Sequence, residues 1–421
     1  MILYRALSRL FAPLLIRRLQ RGEPDPKARR MDRQQRRGHI EACGQAPIWI
    51  HAASVGEVNA ISPLIKALRR RYATRPLVVS TFTRSGAEQV HRRFGGEVEH
   101  RFLPVDTPAA CARWLDTLAP SIALIAETEI WPVLFEQCSK RGVPLLLINA
   151  RLSERGLRRS RRFRSLFSQS LGRVERALCQ SQEDGERLIE LGLDPARAEI
   201  AGNLKFDAPL PGDLLQTAQT LRARWGERKA WVAGSTRRGE ETMILDAHRK
   251  LLTGHPNALL VLAPRHPERC DELSEGMTAE GIDHQRLDET LDPRSRVVLV
   301  DRIGVLQACY GAGSVAFVGG SLVPIGGHNL LEPAALGKPV VSGPHLDNQR
   351  AMADALDAVQ ALLRVESSDE LADAVARYWS DPALALEKGR AALGVIEAER
   401  GALSSTLSAI RPFLDEAQRS S

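Results

Sequence analysis

Two sets of carboxylates directly follow short apolar runs and suit acid–base chemistry. Glu57 ends the segment I-H-A-A-S-V-G-E, and Glu127 and Glu129 lie in E-T-E-I-W-P. In the first turn of a helix the helix dipole keeps a carboxylate ionised, so Glu57 suits a general base that acts on a sugar hydroxyl. Paired acids can bind sugar hydroxyls or hold two protonation states apart. Helix capping explains all three acids without chemistry, and for Glu129 capping is the favoured interpretation.

Two basic residues at comparable positions suit phosphate or carboxylate groups. Of the 58 Lys and Arg residues only eight are Lys, and one of these, Lys205, lies in G-N-L-K-F-D near an expected domain junction. Arg265 follows another apolar run, in L-A-P-R-H-P. A lysine can neutralise a phosphate or carboxylate, and an arginine can bind a phosphate through two hydrogen bonds. An unspecialised surface lysine is the alternative for Lys205.

A glycine-rich stretch is the most specific single pattern. An apolar run ends in F-V-G-G-S and is followed by G-G-H-N-L-L-E-P-A, which contains Asn329 and Glu332. Glycines let the backbone approach a phosphate closely, and the free N–H groups at a helix N-terminus bind anions. We therefore predict a nucleotide site in which Glu332 accepts hydrogen bonds from ribose hydroxyls.

Alternating apolar runs and amphipathic segments must position these residues. Continuous apolar runs indicate strands buried on both faces, and their alternation with helices predicts parallel sheets. The predicted strands are 48–52, 77–81, 122–126, 145–149, 177–180, 230–234, 259–263, 297–300, 315–319 and 339–342. The alternation pauses at a turn-rich linker between about residues 206 and 228. The pattern therefore predicts two sheets with a cleft between them, and ligands bind beyond the carboxyl ends of such strands.

Composition bounds the class of protein. The 421 residues, 43% of them hydrophobic, are enough for two globular domains. The net charge of +7 fits a nucleic acid, an anionic membrane or a phosphorylated substrate, but only 5% of residues are aromatic and no nucleic-acid motif is present. The six cysteines are widely separated, which argues against a zinc site or a disulfide framework and predicts buried free thiols.

The N-terminal segment M-I-L-Y-R-A-L-S-R-L-F-A-P-L-L-I-R-R-L has apolar residues at helical spacing between arginines. This pattern favours an amphipathic helix in the membrane interface, and packing on the protein's own domain is the alternative. Residues 20–46 lack a pattern and are interpreted as a connecting loop. The basic run 155–164 is equally consistent with binding to anionic lipid and with a solvated helix face.

Taken together, these motifs resemble those of the Kdo transferases of Gram-negative bacteria, where Kdo is 3-deoxy-D-manno-octulosonic acid. The resemblance rests on H-A-A-S-V-G-E, E-T-E-I-W-P, N-A-R-L-S, G-N-L-K-F-D, P-R-H-P-E-R and G-G-H-N-L-L-E-P-A, and covers about residues 1–415. It implies the GT-B glycosyltransferase fold, an α/β fold with two Rossmann-like domains and an inter-domain cleft. Residues 1–20 would be a membrane-associating helix, 21–206 the acceptor domain and 207–421 the CMP-sugar domain.

The resemblance also implies an activity: inverting transfer of Kdo from CMP-Kdo to a lipid A precursor in lipopolysaccharide synthesis. The reaction would need no cofactor and no bound metal, and would take place on the cytoplasmic face of the inner membrane. Glu57 would be the general base, with Glu127 and Lys205 assisting the transition state. The residues implied in CMP binding are Pro264, Arg265, Ile303, Gly304, Val305, Asn329, Leu330, Leu331 and Glu332. Relatives commonly have M-G-E where this chain has Ile303-Gly304-Val305, so the contribution of an acidic third residue is lost.

Two competing interpretations remain open. A GT-B enzyme that uses a UDP-sugar, or that epimerises one, would share the fold and the glycine-rich loop; inhibition by CMP but not UDP separates the two donors. A non-catalytic protein that binds anionic membrane surfaces would explain the N-terminal helix and the arginine run, but not the polar motifs at strand ends in both domains.

Overall fold

The computed structural model describes residues 1–21, 23–207, 210 and 212–419. The chain forms two compact units. The N-terminal unit comprises Met1–Pro209 and Glu399–Ser421, and the C-terminal unit comprises Leu210–Ala398. Each unit is a parallel sheet of seven strands covered by helices, as the apolar runs predict. The α/β class and the two Rossmann-like domains of the GT-B fold are thereby confirmed.

The strands and helices have the following bounds in chain order. The strands are β1 Ile48–His51, β2 Leu77–Thr81, β3 Glu99–Phe102, β4 Ile122–Ala126, β5 Leu145–Ala150, β6 Arg176–Cys179, β7 Ala198–Ile200, β8 Ala230–Thr236, β9 Leu259–Pro264, β10 His284–Arg286, β11 Val297–Leu299, β12 Val315–Val318, β13 Val340–Ser342 and β14 Leu362–Arg364. The helices are α1 Ile2–Leu19, α2 Pro26–Arg36, α3 Val55–Arg71, α4 Arg84–Phe94, α5 Pro108–Leu118, α6 Pro132–Lys140, α7 Glu154–Ser160, α8 Arg164–Leu171, α9 Gln182–Glu190, α10 Leu214–Trp225, α11 Glu241–Gly254, α12 Cys270–Ala279, α13 Leu306–Ala312, α14 Leu331–Ala334, α15 Arg350–Ala358, α16 Ser368–Ser380, α17 Pro382–Ala398 and α18 Ala402–Arg419.

The sheet of the N-terminal unit has the strand order β3-β2-β1-β4-β5-β6-β7. Strands β1, β2, β4 and β5 are buried at every residue, because helices cover both faces. The order reverses between β1 and β4, which pair in parallel. Ligands of such sheets bind where the order reverses, outside the carboxyl ends of the strands. Glu57 and Glu127 follow these two strands.

The sheet of the C-terminal unit has the order β10-β11-β9-β8-β12-β13-β14. Here β8 lies at the centre, between β9 and β12. The glycine-rich loop follows β12, and Arg265 follows β9. All six cysteines of the protein are buried and free, as predicted.

The four strands that the apolar runs do not predict are the edges of the two sheets. They are β3, β7, β10 and β14, each three or four residues long and partly exposed. An edge strand has a neighbour on one side only, so its sequence carries no continuous apolar run.

The prediction of a loop over residues 20–46 is wrong, because α2 occupies Pro26–Arg36. Asp25 caps this helix by accepting hydrogen bonds from two backbone N–H groups, and Pro26 is its first residue. Its inner face carries an ion pair rather than an apolar stripe. Arg36 is buried, pairs with Asp32 at 2.6 Å and lies over the ring of Phe102. Hydrophobic periodicity therefore does not indicate this helix.

The N-terminal helix α1 is formed as predicted, and one face of it packs on the N-terminal unit. On its inner face, the Tyr4 hydroxyl donates to Asp106 at 2.8 Å, Arg5 pairs with Glu136, and Ile16 is buried. Its outer face is apolar and exposed, and consists of Ile2, Leu3, Leu7, Leu10, Phe11 and Leu14. No helix within the described ranges is long and apolar enough to cross a bilayer.

The C-terminal end of the chain differs from the predicted division into 21–206 and 207–421. The chain leaves the N-terminal unit near residue 209, close to the predicted boundary, but residues 399–421 return to it. Asp207 caps α18 there, since its carboxylate accepts from the N–H groups of Gly401 (2.9 Å) and Leu403 (2.8 Å). An aspartate in the linker motif thus ties the last helix to the first unit.

Candidate active site

Glu57 is held at the start of α3 by reciprocal hydrogen bonds. Ser54 is the N-cap residue of this helix; its hydroxyl accepts from the Glu57 N–H and donates to Glu57 Oε1 at 2.8 Å. The Ala53 N–H donates to Glu57 Oε2 at 2.7 Å. This is close to a capping box, so the carboxylate has the structural role considered above and a fixed orientation.

The same carboxyl group is poised for proton transfer near neutral pH. Burial, together with the negative charges of Glu129 and Glu127, raises the pKa of Glu57 to about 7, although the hydrogen bonds from Ala53 and Ser54 oppose the shift. A base whose pKa lies near the working pH combines an available lone pair with a sufficient affinity for the proton. Capping and catalysis are compatible in this residue.

Glu127 has a backbone conformation that side chains rarely adopt. Its φ is +53°, in the left-handed region, and its N–H donates to the Ile148 carbonyl at 3.0 Å. This conformation costs roughly 1–2 kcal/mol in a residue other than glycine. Burial raises the pKa of Glu127, and the charges of Lys205 and Arg151 oppose this shift. Backbone strain beside a perturbed carboxyl group is typical of a functional site.

Lys205 is positioned by a residue to which the sequence analysis assigns no role. The Leu204 N–H donates to Asn149 Oδ1 at 3.0 Å, which fixes the short turn Leu204–Asp207 against the end of β5. Asn149 is buried and also has a left-handed φ, of +50°. The Lys205 side chain is exposed, and in the described part of the chain no carboxylate lies within 4 Å of its Nζ. Asn149 stands at the end of an apolar run, in N-A-R-L-S, and asparagine adopts a left-handed φ more readily than most residues do. These two features could have identified Asn149 from the sequence.

Glu129 does not cap α6, contrary to the favoured interpretation. Asp106 does so instead, by accepting from the N–H groups of Val133 (3.0 Å) and Leu134 (2.8 Å). Glu129 Oε2 accepts from the Trp131 indole at 3.1 Å and lies 3.9 Å from Nε2 of the buried His51. The Glu129 carboxylate therefore does not cap α6, and its negative charge contributes to the raised pKa of Glu57.

In the C-terminal unit, basic side chains gather where β8, β9 and β12 end. The Arg237 guanidinium donates to His328 Nε2 at 3.1 Å and lies 2.8 Å from His266 Nε2. Burial lowers the pKa of His328 to about 4, with contributions from the charges of Arg237, Arg265 and His266. His328 is neutral at pH 7 and accepts the hydrogen bond. His266 and His328 lie in motifs that stand out in the sequence, although no role is predicted for either, and Arg237 does not stand out.

Arg265 and the N-L-L-E segment lie in this same basic region. Arg265 is exposed and is held by its own N–H, which donates to the Thr236 carbonyl at 3.0 Å. Its charge opposes the rise in the pKa of Glu332 that burial causes. Asn329 donates to Glu332 at 3.2 Å and accepts from the Leu331 N–H at 3.2 Å. The structure therefore brings Arg265, Asn329 and Glu332 together.

The helix that follows the glycine-rich loop is shorter than the sequence analysis supposes. α14 has only four residues, so its dipole is small and the predicted helix-dipole contribution to anion binding is weak. The loop itself is suited to a close approach: Gly320 has φ +70°, and a Cβ there would lie 2.7 Å from the His328 ring. The N–H groups of Gly320, Ser321 and Leu322 are not available to a ligand, because they donate to Glu240.

The other residues implied in CMP binding differ in how far their side chains are exposed. Ile303 is 74% exposed, Gly304 has φ +97°, and Val305 is the N-cap residue of α13. Leu330 and Pro264 are buried, so neither side chain is available to a ligand and Leu330 can contribute only its backbone. Leu331 is half-buried.

Glu240 organises the glycine-rich loop, and the sequence analysis missed it. It is fully buried, and its carboxylate accepts from four backbone N–H groups. These belong to Arg237 (2.8 Å), Gly320 (2.7 Å), Ser321 (2.9 Å) and Leu322 (2.8 Å). One side chain thus connects the turn after β8 with the turn after β12. The surrounding sequence R-R-G-E-E does not indicate this role, because three of the four N–H groups belong to residues about 80 positions away.

We expect Glu240→Gln to destabilise the C-terminal unit by about 2–4 kcal/mol. The amide nitrogen would replace one oxygen and face two N–H groups that have no other acceptor. Calorimetric melting of the full chain measures the effect, with Glu227→Gln as the control, because Glu227 is exposed. Equal melting temperatures for the two variants would contradict this role of Glu240.

Comparison with known proteins gives the same assignment as the motifs. A family model described as 3-deoxy-D-manno-octulosonic-acid transferase (kdotransferase) matches residues 29–208. The chain is 37% identical over 372 residues to a 3-deoxy-D-manno-octulosonic acid transferase of Haemophilus influenzae, covering 87% of each chain. It is 34% identical over 380 residues to the enzyme of that name from Bordetella pertussis, covering 88% of each.

A solved structure extends the comparison of the fold. A putative UDP-N-acetylglucosamine 2-epimerase from Listeria monocytogenes matches with a TM-score of 0.59 over 89% of this chain and 98% of that one. The sequence identity is 15%, so this likeness concerns the fold alone. The two sequence relatives, in contrast, match along nearly their whole length. The chain therefore belongs to the 3-deoxy-D-manno-octulosonic acid transferases and is a glycosyltransferase.

Proposed function

We propose that this protein transfers Kdo from CMP-Kdo to a lipid A precursor of the tetraacyldisaccharide type, with inversion at the anomeric carbon, in lipopolysaccharide core synthesis. The observation that carries the proposal is the Glu57 carboxyl group, half-buried at the reversal point of the first sheet with a pKa raised to about 7. The close relatives named above bear the name of the same transferase.

In the proposed mechanism Glu57 takes the proton from an acceptor hydroxyl as that oxygen attacks the anomeric carbon of Kdo. The bond between that carbon and the phosphate oxygen breaks, and CMP leaves as a phosphate monoester. A monoester needs little acid assistance, so the main requirement is positive charge near the phosphate. Lys205 and Arg265 are the residues proposed to supply it, with no cofactor and no bound metal. A transfer rate that is unchanged after dialysis against EDTA would support the proposal that no metal is needed.

The C-terminal unit is proposed to hold CMP. Arg265 would bind the phosphate, and the loop of Gly304 and the Asn329 segment would offer backbone N–H groups. Glu332, which Asn329 orients, would accept from the ribose hydroxyls. Because the third residue of the loop is Val305, no carboxylate from that position takes part.

The direct test is transfer by the purified full-length protein. CMP-Kdo generated in place and a tetraacylated lipid A precursor dispersed in detergent are incubated with it, and the lipid is weighed by mass spectrometry. A gain of one or more Kdo masses supports the proposal and counts the transfers. No gain, with donor and acceptor shown intact, contradicts it.

The fold likeness to a UDP-sugar enzyme makes the donor worth testing separately. CMP should inhibit transfer and UDP should not. Inhibition by UDP alone would move the donor assignment to a UDP-sugar while the glycosyltransferase class stands.

We further propose that α1 anchors the protein to the cytoplasmic face of the inner membrane. The support is its outer face, on which Leu10 and Leu14 are 69% and 63% exposed although the inner face is packed. Apolar side chains of this kind gain free energy when they enter the acyl boundary of a membrane.

The triple substitution Leu7→Ser, Leu10→Ser and Leu14→Ser should therefore reduce binding to phosphatidylcholine vesicles about a thousandfold, since three leucines that each give up about 1.5 kcal/mol of burial lose about 4.5 kcal/mol together. Co-sedimentation measures this. The matched control replaces three exposed apolar residues elsewhere, Leu215, Val359 and Leu386, by Ser. If both triple variants lose the same affinity, α1 has no special role.

A further inference from the structure

A cavity rich in arginine lies between the end of α1 and α2. Its volume is about 640 Å³, and Arg17, Arg21, Arg29, Arg33 and Arg37 line it. A second cavity of about 450 Å³ shares Arg33 and Arg37 with the first. The mechanism proposed above uses none of these residues.

The positive charge of this arginine cavity is not neutralised by the protein. Glu23 is the only carboxylate in its wall, and it pairs with Arg84 outside the cavity. Among the described residues no carboxylate lies within 4 Å of any of the five guanidinium groups. Arg29 and Arg33 make only neutral contacts, to the Pro24 carbonyl at 3.2 Å and the Gln20 amide at 3.4 Å.

A neighbouring arginine shows what a purely structural role looks like in this segment. Arg36, on the same helix α2, is buried, pairs with Asp32 at 2.6 Å and donates to the Phe82 carbonyl at 2.8 Å. The arginines of the cavity have no such arrangement. Five like charges around one space repel one another, and an anion that enters the space relieves this repulsion. Guanidinium groups bind phosphate through paired hydrogen bonds, so phosphate is the anion that they fit.

The surroundings of the cavity favour a phosphate that is attached to acyl chains. Arg17 follows Leu14 by one helical turn, so the cavity adjoins the exposed apolar face of α1. Basic residues beside an apolar helix face are the usual arrangement for contact with anionic lipid. A free phosphate would use the arginines and leave the leucines exposed.

An ion pair and two hydrogen bonds link the wall of the cavity to the turn that carries Glu57. Glu23, in its wall, pairs with Arg84, the first residue of α4. The preceding Thr83 donates its N–H to the Ala53 carbonyl at 2.9 Å, and the Ala53 N–H donates to Glu57 at 2.7 Å. A lipid held in the cavity would therefore be linked to Glu57 through one ion pair and two hydrogen bonds.

We propose that the arginine cavity binds the phosphate group of an anionic lipid whose acyl chains lie along the outer face of α1. This rests on the proposed membrane role of α1 and adds a specific headgroup site to it. The lipid would fix the orientation of the N-terminal unit on the membrane, because α1 is packed on that unit and the cavity lies on one flank of the helix.

The test compares vesicles of phosphatidylcholine with vesicles that also contain phosphatidic acid. The triple variant Arg17→Gln, Arg21→Gln and Arg33→Gln should lose affinity for the phosphatidic acid vesicles about a hundredfold, because three cations at about 1 kcal/mol each contribute about 3 kcal/mol. Its binding to pure phosphatidylcholine should stay as in the wild type. The matched control, Arg70→Gln, Arg71→Gln and Arg92→Gln, removes three exposed charges from the same unit and should change binding less than about threefold.

Each alternative outcome overturns the proposal in a recognisable way. Equal losses in the two variants would show that net charge alone attracts the protein. A separate calorimetric titration uses inorganic phosphate. If the cavity variant loses phosphate binding but keeps its affinity for phosphatidic acid vesicles, the cavity binds free anions and not lipid.

Melting temperatures and CMP binding check that the variants fold. Vesicle binding requires neither donor nor transfer, so failure here is distinguishable from failure of the proposed activity. An apolar-face variant that kept wild-type vesicle binding would contradict the anchoring role of α1 and, with it, the placement of the acyl chains along this helix.

Discussion

Replacing Glu57 with Gln should lower the rate of sugar transfer by about a thousandfold, the typical contribution of a positioned general base. Glutamine is nearly the same size and can still accept the hydrogen bond from Ala53, but it cannot take a proton from the acceptor. Affinity for CMP should be unchanged, because Glu57 lies in the N-terminal unit and the proposed nucleotide residues lie in the C-terminal unit. Single-turnover transfer and calorimetric CMP binding measure the two quantities.

Glu370→Gln is the matched control for capping. Glu370 stands three residues after its N-cap residue Ser367, accepts from a backbone N–H at 2.8 Å and lies in the first turn of α16, away from any proposed site residue. A comparable loss of transfer in both variants would show that Glu57 acts only through the stability of its helix.

The pH dependence of transfer should follow the Glu57 carboxyl group. With a pKa of about 7, the carboxylate that acts as base is present above pH 7, and below it the rate should fall about tenfold per pH unit. A flat profile from pH 5 to pH 8, with CMP-Kdo stable throughout, would remove Glu57 from this role.

The raised pKa of Glu57 also makes stability depend on pH. Stability should fall as pH rises, whereas the transfer rate should increase. The folded pKa is raised above the ordinary value of 4.5, so between about pH 4.5 and 7 the folded state holds a proton that the unfolded state has released. The contribution of this group to stability is therefore present at low pH and lost as pH rises through that window. The melting temperature of Glu57→Gln relative to the wild type should increase between pH 5 and pH 8.

Lys205→Met should reduce transfer about a hundredfold while leaving the fold intact. The Lys205 side chain is exposed and makes no ion pair in the described structure, so its removal costs little stability. Its charge opposes the rise in the pKa of Glu127, and without it that pKa should rise further. Lys66→Met is the control, because Lys66 is exposed on α3 of the same unit. Activity within about threefold of the wild type would contradict the assignment of Lys205.

A double-mutant cycle with Glu127→Gln tests whether the two residues act together. Coupling is expected, because the charge of one shifts the protonation of the other, and interacting residues give non-additive effects. Additive losses would mean that Glu127 and Lys205 contribute independently.

Much of the fold follows from local sequence because each interior strand is covered on both faces. Residues 77–81 and 122–126 are predicted to the residue, since every position in them must be apolar or small. The edge strand Glu99–Phe102 cannot be predicted this way, because water reaches one side of it. Helix α2 is missed for a related reason: a buried ion pair occupies its inner face where the period of 3.6 requires apolar residues.

The candidate site divides in the same manner. Glu57, Glu127, Lys205, Arg265 and Glu332 stand out in sequence because each directly follows an apolar run or lies in a glycine-rich or lysine-poor context. The residues that position them do not stand out. Asn149, Glu240 and Asp106 are ordinary polar residues whose partners lie 55, about 80 and 28 positions away.

The sequence by itself therefore determined the class of fold and the family and singled out the candidate site residues, because these depend on runs and spacings that are local in the chain. The tertiary structure alone decided which of those residues lie together, and that Glu57 is both a helix cap and a carboxyl group with a pKa near 7. It also decided that the last helix belongs to the first unit and that five arginines surround one cavity. Burial, electrostatic interaction and long-range hydrogen bonds produce these properties, and all three depend on distances in space that a linear pattern does not contain.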